Sequence, residues 1–230
     1  MRAFDTLLDL LYPKKCVFCG RALKGGEEYF CRKCGETLPM REGASETASV
    51  KNSEFCVVPL YYQDVVRESL LRYKFGGASY RAPVYAELLT PYIQRHIQEK
   101  PDVVTWAPLS AKRLRKRGYD QARLLAEEIA KRLGIPCEKL LDKISDTPPQ
   151  SGIKDAEARR ANVLGAYAAS AGAKIEGRSA LLVDDILTTG STMGECCRVL
   201  RESGARRVLC AAVAGGRKVA KTGENVYCKS

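Results

Sequence analysis

The chain has 230 residues, 45% of them hydrophobic and 28% charged, which is the profile of a globular protein with room for one ordinary domain and a small appendage. Lys and Arg total 38 against 27 Asp and Glu, a formal net charge of +11 that favours polyanionic partners, either phosphates or nucleic acid. The single histidine, His96, excludes a two-histidine metalloprotease helix and leaves a Ser-His-Asp triad hanging on one position.

Leu7, Leu8, Leu10 and Leu11 space residues 2–12 as a short amphipathic helix. Asp5 and Asp9 interrupt it where a signal peptide needs an unbroken apolar core, and no run approaches the roughly eighteen apolar residues of a membrane helix. A cytosolic protein without membrane insertion is expected, and a reducing compartment suits its ten cysteines. After the cysteine-rich segment, the polar and small residues 40–54 read as a linker. Phe55–Tyr62 reads as a strand, and Val65–Phe75 and Val84–Ile97 as helices around the Gly76–Gly77 break. Val103–Ala107 is a strand. Asp120–Leu133 is a helix with Ala122, Leu125, Ala126, Ile129 and Leu133 on one face, stopped by Gly134 and Pro136. A weak strand at Cys137–Leu141 precedes a long polar segment, 142–162. Strands at Gly165–Ser170, Ala180–Val183 and Val208–Val213 frame a helix at Thr192–Ser203, whose apolar face carries Met193, Cys196, Cys197 and Leu200. Strands alternating with helices predict an α/β fold with a mostly parallel sheet flanked by helices, and ligands in such sheets sit at the carboxyl ends of the strands.

Cys16-x2-Cys19-x11-Cys31-x2-Cys34 forms two CxxC knuckles, each followed by a glycine, Gly20 and Gly35. Four thiolates close a tetrahedral shell around Zn²⁺ and leave no open position, so the ion would be structural rather than catalytic. Two redox CxxC pairs or buried free thiols are the competing reading.

Behind the strand Ala180–Val183 comes Asp184-Asp185-Ile186-Leu187-Thr188-Thr189-Gly190-Ser191-Thr192, running into a helix. Thr188, Thr189, Gly190, Ser191 and Thr192 offer amides and hydroxyls at a helix N-terminus, which suits a phosphate dianion. Asp184 and Asp185, acceptors only when ionised, suit the two hydroxyls of a ribose, and their charge would stabilise a nearby oxocarbenium centre. One strand–loop–helix can thus hold a ribose 5-phosphate. The plainer alternative is a helix capped by Ser191 with two solvent-facing aspartates.

Lys112, Arg113, Arg115, Lys116 and Arg117 place five cations in six residues, read as a loop after the Val103–Ala107 strand. It can meet pyrophosphate oxygens, nucleic-acid phosphates or both, or serve only as a solvated surface. Arg159-Arg160, Arg206-Arg207 and Arg217-Lys218 can extend the positive surface. Tyr61, Tyr62, Tyr73, Phe75 and Tyr80 are candidates for stacking on bases, with Tyr73 and Phe75 equally suited to packing between domains. Trp106 reads as core, His96 as a surface residue, and Cys196-Cys197 as filling between helix and sheet.

The stretch Val183–Thr192 resembles the phosphoribosyl pyrophosphate (PRPP) signature of type I phosphoribosyltransferases. The order of the cysteine knuckles, Tyr73–Gly77, Arg117–Ala122, and Thr147–Gly152 with Arg159 and Asn162 narrows the resemblance to the ComF competence-protein family, which joins a zinc finger to such a domain. It implies a type I phosphoribosyltransferase-like fold over 55–230, with a bridge and hood at 55–100 and a core at 101–216, behind a zinc-finger module at 1–39. By the same resemblance Asp184 and Asp185 bind the ribose hydroxyls as the catalytic pair. Residues 188–192 bind the 5-phosphate, Pro108–Gly118 forms the pyrophosphate-side loop, and 145–162 forms a mobile hood. Asp120 stands where relatives usually have Asn, and Val17-Phe18 fills a knuckle that often contains Pro. The implied role is DNA uptake and natural transformation, with PRPP and Mg²⁺ bound at the loop, single-stranded DNA handled in the cytosol, and DNA-uptake or recombination proteins as further partners. Two other readings stay open: a phosphoribosyltransferase of nucleotide metabolism, and a non-catalytic PRPP-sensing regulator.

Overall fold

The computed structural model describes residues 14–145 and 163–217. The helix expected at 2–12, most of the expected hood, the basic pair Arg159-Arg160 and Lys218 lie outside the described residues.

Two long strands, β7 (Ser179–Leu187) and β8 (Arg207–Gly215), pair in parallel through the middle of the sheet. β4 (Val103–Trp106) lies parallel to β7 on one side. β2 (Cys56–Val57) and β3 (Leu60–Tyr61) lie parallel to β8 on the other, and β1 (Thr47–Ala48) closes that edge antiparallel to β2. The expected strand Phe55–Tyr62 is therefore split, because Pro59 has no N–H to give to the ladder. β5 (Leu141–Lys143) and β6 (Tyr167–Ala169) make a separate antiparallel pair.

Both faces of the sheet are covered, which is why Ala180–Val183 of β7 and Val208–Ala214 of β8 read as unbroken apolar runs rather than alternating ones. Leu181, Val183, Leu209, Ala211 and Val213 face α3 (Ala82–His96) and α5 (Gln121–Leu133) through Tyr85, Leu89, Leu125 and Ile129. Ala180, Leu182, Val208, Cys210 and Ala212 face α6 (Ser191–Glu202), whose Met193, Cys196, Cys197 and Leu200 form the predicted apolar stripe.

Three expectations change. Residues 40–54 are structured: a 3₁₀ turn at Gly43–Glu46 leads into β1, and Ala48 and Val50 are buried. Buried Arg41 fastens this segment to the end of β8, donating from Nη2 to the Gly216 carbonyl (2.8 Å) and from Nη1 to that of Ser45 (3.0 Å). An edge strand needs only two buried side chains, too few to register above a polar composition. The basic segment is a helix, α4 (Ala111–Arg117), begun by Ser110, whose hydroxyl accepts from Arg113 N at 3.4 Å, and stopped by left-handed Gly118 at φ 81°. His96 is half-buried rather than a plain surface residue: its Nε2 lies 2.6 Å from Oε2 of the buried Glu46.

The cysteine knuckles, the second of which runs into the short helix α1 (Arg32–Thr37), dock on the body through α2 (Asp64–Phe75) and the turn before α3. Val17 and Phe18, the residues inside the first knuckle, are buried in the same core as Tyr73 and Tyr85. Ser69 Oγ donates to the Val17 carbonyl at 2.5 Å, Arg81 donates to the same carbonyl, and Arg72 donates to that of Phe18. Phe18 packs edge-on against Tyr85 at 6.4 Å. A knuckle proline would lack the side chain that makes this contact.

Candidate functional site

Strand β7 runs past its neighbour. β4 ends with Trp106 opposite Val183, whereas β7 keeps pairing with β8 through Ile186 and Leu187. The aspartates thus stand inside the strand, not after it, at the point where the sheet loses a neighbour and a cleft opens. That cleft has a volume of about 890 Å³, within the range of about 300–1,000 Å³ usual for small-molecule sites.

Because consecutive strand residues face opposite ways, the two carboxylates divide the cleft floor between them. Asp185 is 1% exposed, which excludes a solvent-facing role. Its Oδ1 lies 3.1 Å from Lys74 Nζ at the end of α2, and its Oδ2 is buried without a hydrogen-bond partner. Asp184 is half-buried and accepts from Asp185 N at 2.8 Å. Burial, then the charge of Asp185, push the Asp184 carboxyl well above the usual carboxylate range, and Lys74 opposes the shift.

The phosphate-type loop forms one wall. Gly190, at φ 73°, is the N-cap of α6 in place of the expected Ser191, which becomes the first helical residue. A side chain at Gly190 would strain the backbone. The first ladder bond runs from Gly194 N to Gly190 O (2.7 Å), so helix geometry directs the preceding amides toward the cleft that Ser191, Thr192 and Met193 line. Thr188 and Gly190 line it too. Thr189 does not; its hydroxyl holds Ser191 Oγ at 2.8 Å.

Another part of the lining is basic. Arg113, Lys116 and Arg117 of α4 line the cleft, while Lys112 and Arg115 are exposed and take no part in its lining. This wall is fixed at its end by Asp120, the N-cap of α5, which accepts from Ala122 N (3.1 Å) and Arg123 N (3.2 Å) through one oxygen and from Leu109 N (3.0 Å) through the other. An Asn could offer only one acceptor oxygen, so the acidic residue has its own logic here. From α2 come Arg67, Leu71, Lys74 and Phe75, a single surface that is not evident from composition or motif. Their spacing of four, three and one is itself a helical stripe, the signal that could have found them. Tyr62, Gln121 and Tyr167 complete the lining. Five cations and two carboxylates face this space.

Elsewhere the four knuckle sulfurs converge. Sγ atoms of Cys16, Cys19, Cys31 and Cys34 all lie within 4.8 Å of one another, and Cys19 and Cys31 are 3.7 Å apart. Zn–S bonds of about 2.3 Å require a tetrahedral edge of about 3.8 Å, so the residues fit the ion. Arg21 donates to Cys31 Sγ at 3.1 Å as an outer-shell partner.

A phosphoribosyl transferase domain matches residues 120–229, and a double zinc ribbon domain matches residues 7–45. Competence protein F of Haemophilus influenzae is 27% identical over 199 residues, covering 84% of this chain and 81% of that one. Competence protein ComFC of Bacillus subtilis is 29% identical over 209 residues, covering 86% and 82%. The chain is a homologue of the ComF/ComFC competence proteins. DNA utilization protein YhgH of Salmonella typhimurium is 30% identical over 109 residues, 47% of either chain. Among solved structures, the glutamine PRPP amidotransferase of B. subtilis is 24% identical with a TM-score of 0.40; the match covers 58% of this chain and about a quarter (26%) of that one. The fold of this ComFC homologue is a phosphoribosyltransferase-like α/β sheet behind a zinc ribbon, and the ribbon's cysteine cluster supports a structural zinc. Although the matching ribbon family is named as double, the matched residues 7–45 hold four cysteines, enough to ligate one ion. Among the described residues no helix is long and apolar enough to cross a membrane.

Proposed function

We propose that this chain binds PRPP in the cleft at the end of β7 and acts as a competence-type protein that handles single-stranded DNA in the cytosol. The observation that carries the PRPP half is the convergence of three elements on one volume: an aspartate pair at the end of the central strand, a helix N-terminus and a basic helix. Ribose hydroxyls would take the carboxylate oxygens of Asp184 and Asp185, and the buried, unpartnered Oδ2 of Asp185 is an acceptor in want of such a donor. The 5-phosphate would sit at residues 188–192, and the pyrophosphate between Lys74 and the cations of α4. Mg²⁺ belongs to this reading as the counter-ion of the pyrophosphate. The names of the relatives, competence and DNA utilization proteins, support the DNA half.

Transfer of the phosphoribosyl group to an acceptor, with release of pyrophosphate, is the second reading. It is favoured by two adjacent carboxylates that can stabilise positive charge at the sugar. Pyrophosphate release with a purine, pyrimidine or orotate acceptor would establish it, and failure of all of them would leave a binding protein or PRPP sensor.

Calorimetric titration of PRPP into the zinc-loaded chain, with and without Mg²⁺, tests the main reading. Micromolar, Mg²⁺-assisted binding that disappears in Asp184→Asn/Asp185→Asn is expected. No heat from the folded, zinc-loaded protein would overturn it.

A further inference from the structure

The five aromatic residues that could stack on a base have different fates in the fold. Tyr73 is buried, packed against Tyr85 at 5.2 Å and Tyr119 at 6.2 Å, with its hydroxyl donating to the Gln121 carbonyl. Tyr61 carries the guanidinium of Arg41 over its ring at 4.7 Å and that of Arg217 at 5.9 Å. Tyr62 is half-buried, and burial raises its hydroxyl above the usual phenol range. Tyr80 is 67% exposed but does not line the cleft. Phe75 combines both properties: it lines the cleft and is 71% exposed.

Its ring is not idle. The Arg117 guanidinium lies 4.9 Å from the centroid, and the same group donates to the Gln121 side chain, which fixes its plane. With one face against Arg117, an exposure of 71% leaves the other face to solvent. Beyond Arg117 stand Lys116 and Arg113 on the same short helix. An open aromatic face beside a row of cations is complementary to a planar group that carries phosphates on either side.

We infer that Phe75 is the platform on which an unpaired base of single-stranded DNA stacks at the mouth of the cleft, with Arg117, Lys116 and Arg113 holding the flanking phosphates. This deepens the DNA half of the proposed function and rests on it. It makes the PRPP cleft and the DNA surface one continuous site rather than two. A base in a duplex already has both faces occupied, so the platform selects unpaired DNA. Five cations against two carboxylates argue for this occupant over an apolar peptide.

The test is fluorescence anisotropy of the zinc-loaded full chain with a labelled oligothymidylate and an abasic oligonucleotide of equal length, at one salt concentration. The wild type is expected to bind the oligothymidylate about tenfold more tightly than the abasic strand, the gain of one base–aromatic stack. Phe75→Ala should lose about that factor on oligothymidylate and bind both strands alike, while Phe75→Trp restores the preference. Phe75→Ala should keep the salt slope of the wild type, whereas Arg117→Gln should lower it by about one. Phe75 is exposed, so its variants should melt with the parent, which thermal unfolding checks. Equal wild-type affinity for the two strands, or an oligothymidylate affinity untouched by Phe75→Ala, overturns the inference and leaves the proposed function standing. A wild type that binds neither strand removes the DNA half of that function along with it.

Discussion

Asp184 holds a carboxylate where the fold disfavours one. Its pKa lies above that of the unfolded chain, so between those two values the native state binds more protons than the unfolded state, and stability falls as pH rises through that window. Asp184→Asn removes this penalty. It should raise the melting temperature at neutral pH by about 2–4 °C, the response of a chain this size to about 1 kcal/mol, and should flatten the dependence of melting on pH above the usual carboxylate range, while PRPP binding is lost. A variant that melts lower than the parent at pH 8 would show instead that the carboxylate contributes to folding. The same residue marks the reach of sequence reasoning. That Asp184 and Asp185 accept hydrogen bonds was legible from their chemistry, but their placement on opposite faces of one strand was not, because the strand was expected to end at Val183. What prolongs it is pairing with β8 alone, a tertiary fact. Lys74 was invisible for a similar reason: nothing in a helix sequence says which distant carboxylate a lysine will meet.

At the scale of elements, α2 is the piece on which the two halves of the molecule depend. One of its faces, through Ser69 and Arg72, grips the carbonyls of the cysteine knuckle, and another, through Arg67, Leu71 and Lys74, forms cleft wall. Chelating the zinc should therefore do more than melt a finger. Loss of the tetrathiolate should release Val17 and Phe18, loosen α2, and lower both the melting temperature and the affinity for PRPP. Measuring metal content, melting and PRPP titration on Cys34→Ser checks this, and a metal-free protein that binds PRPP as well as the parent would show that the ribbon is not needed by the cleft. The knuckle ligands were legible because thiolate spacing is dictated by coordination geometry. The helices were legible from their apolar stripes, often to within a residue or two. The helix α4 was not, since Leu114 is its one large apolar side chain and it is 42% exposed; only Ser110 and Gly118 marked its ends.

Across the whole molecule the excess of positive charge is uneven. Arg206 and Arg207, read from sequence as part of a basic surface, are engaged with Glu99 (2.7 and 2.5 Å), and Arg207 with Glu54 (2.8 Å) as well. Their field is largely cancelled locally, whereas the cations of α4 and α2 share one cleft with only two carboxylates. Binding of single-stranded DNA should accordingly weaken steeply with salt, and Arg113→Ala or Lys116→Ala should each reduce the slope of log K against log salt by about one. Arg206→Ala should leave the slope where it is. The reverse ranking would place the DNA on the far side of the sheet.

The bonds that seat the knuckle also impose an order in time. Val17 and Phe18 leave the ribosome first, but the side chains that satisfy their carbonyls, Ser69, Arg72 and Arg81, follow 52, 54 and 64 residues later. At roughly 5–20 residues per second the young loop waits about 3–13 s for its partners. During that interval the loop has its own backbone bonds, such as Val17 N to Tyr29 O (2.9 Å), and the four sulfurs with whatever ion they capture, so zinc supplied during synthesis should raise the folded yield more than zinc added afterwards.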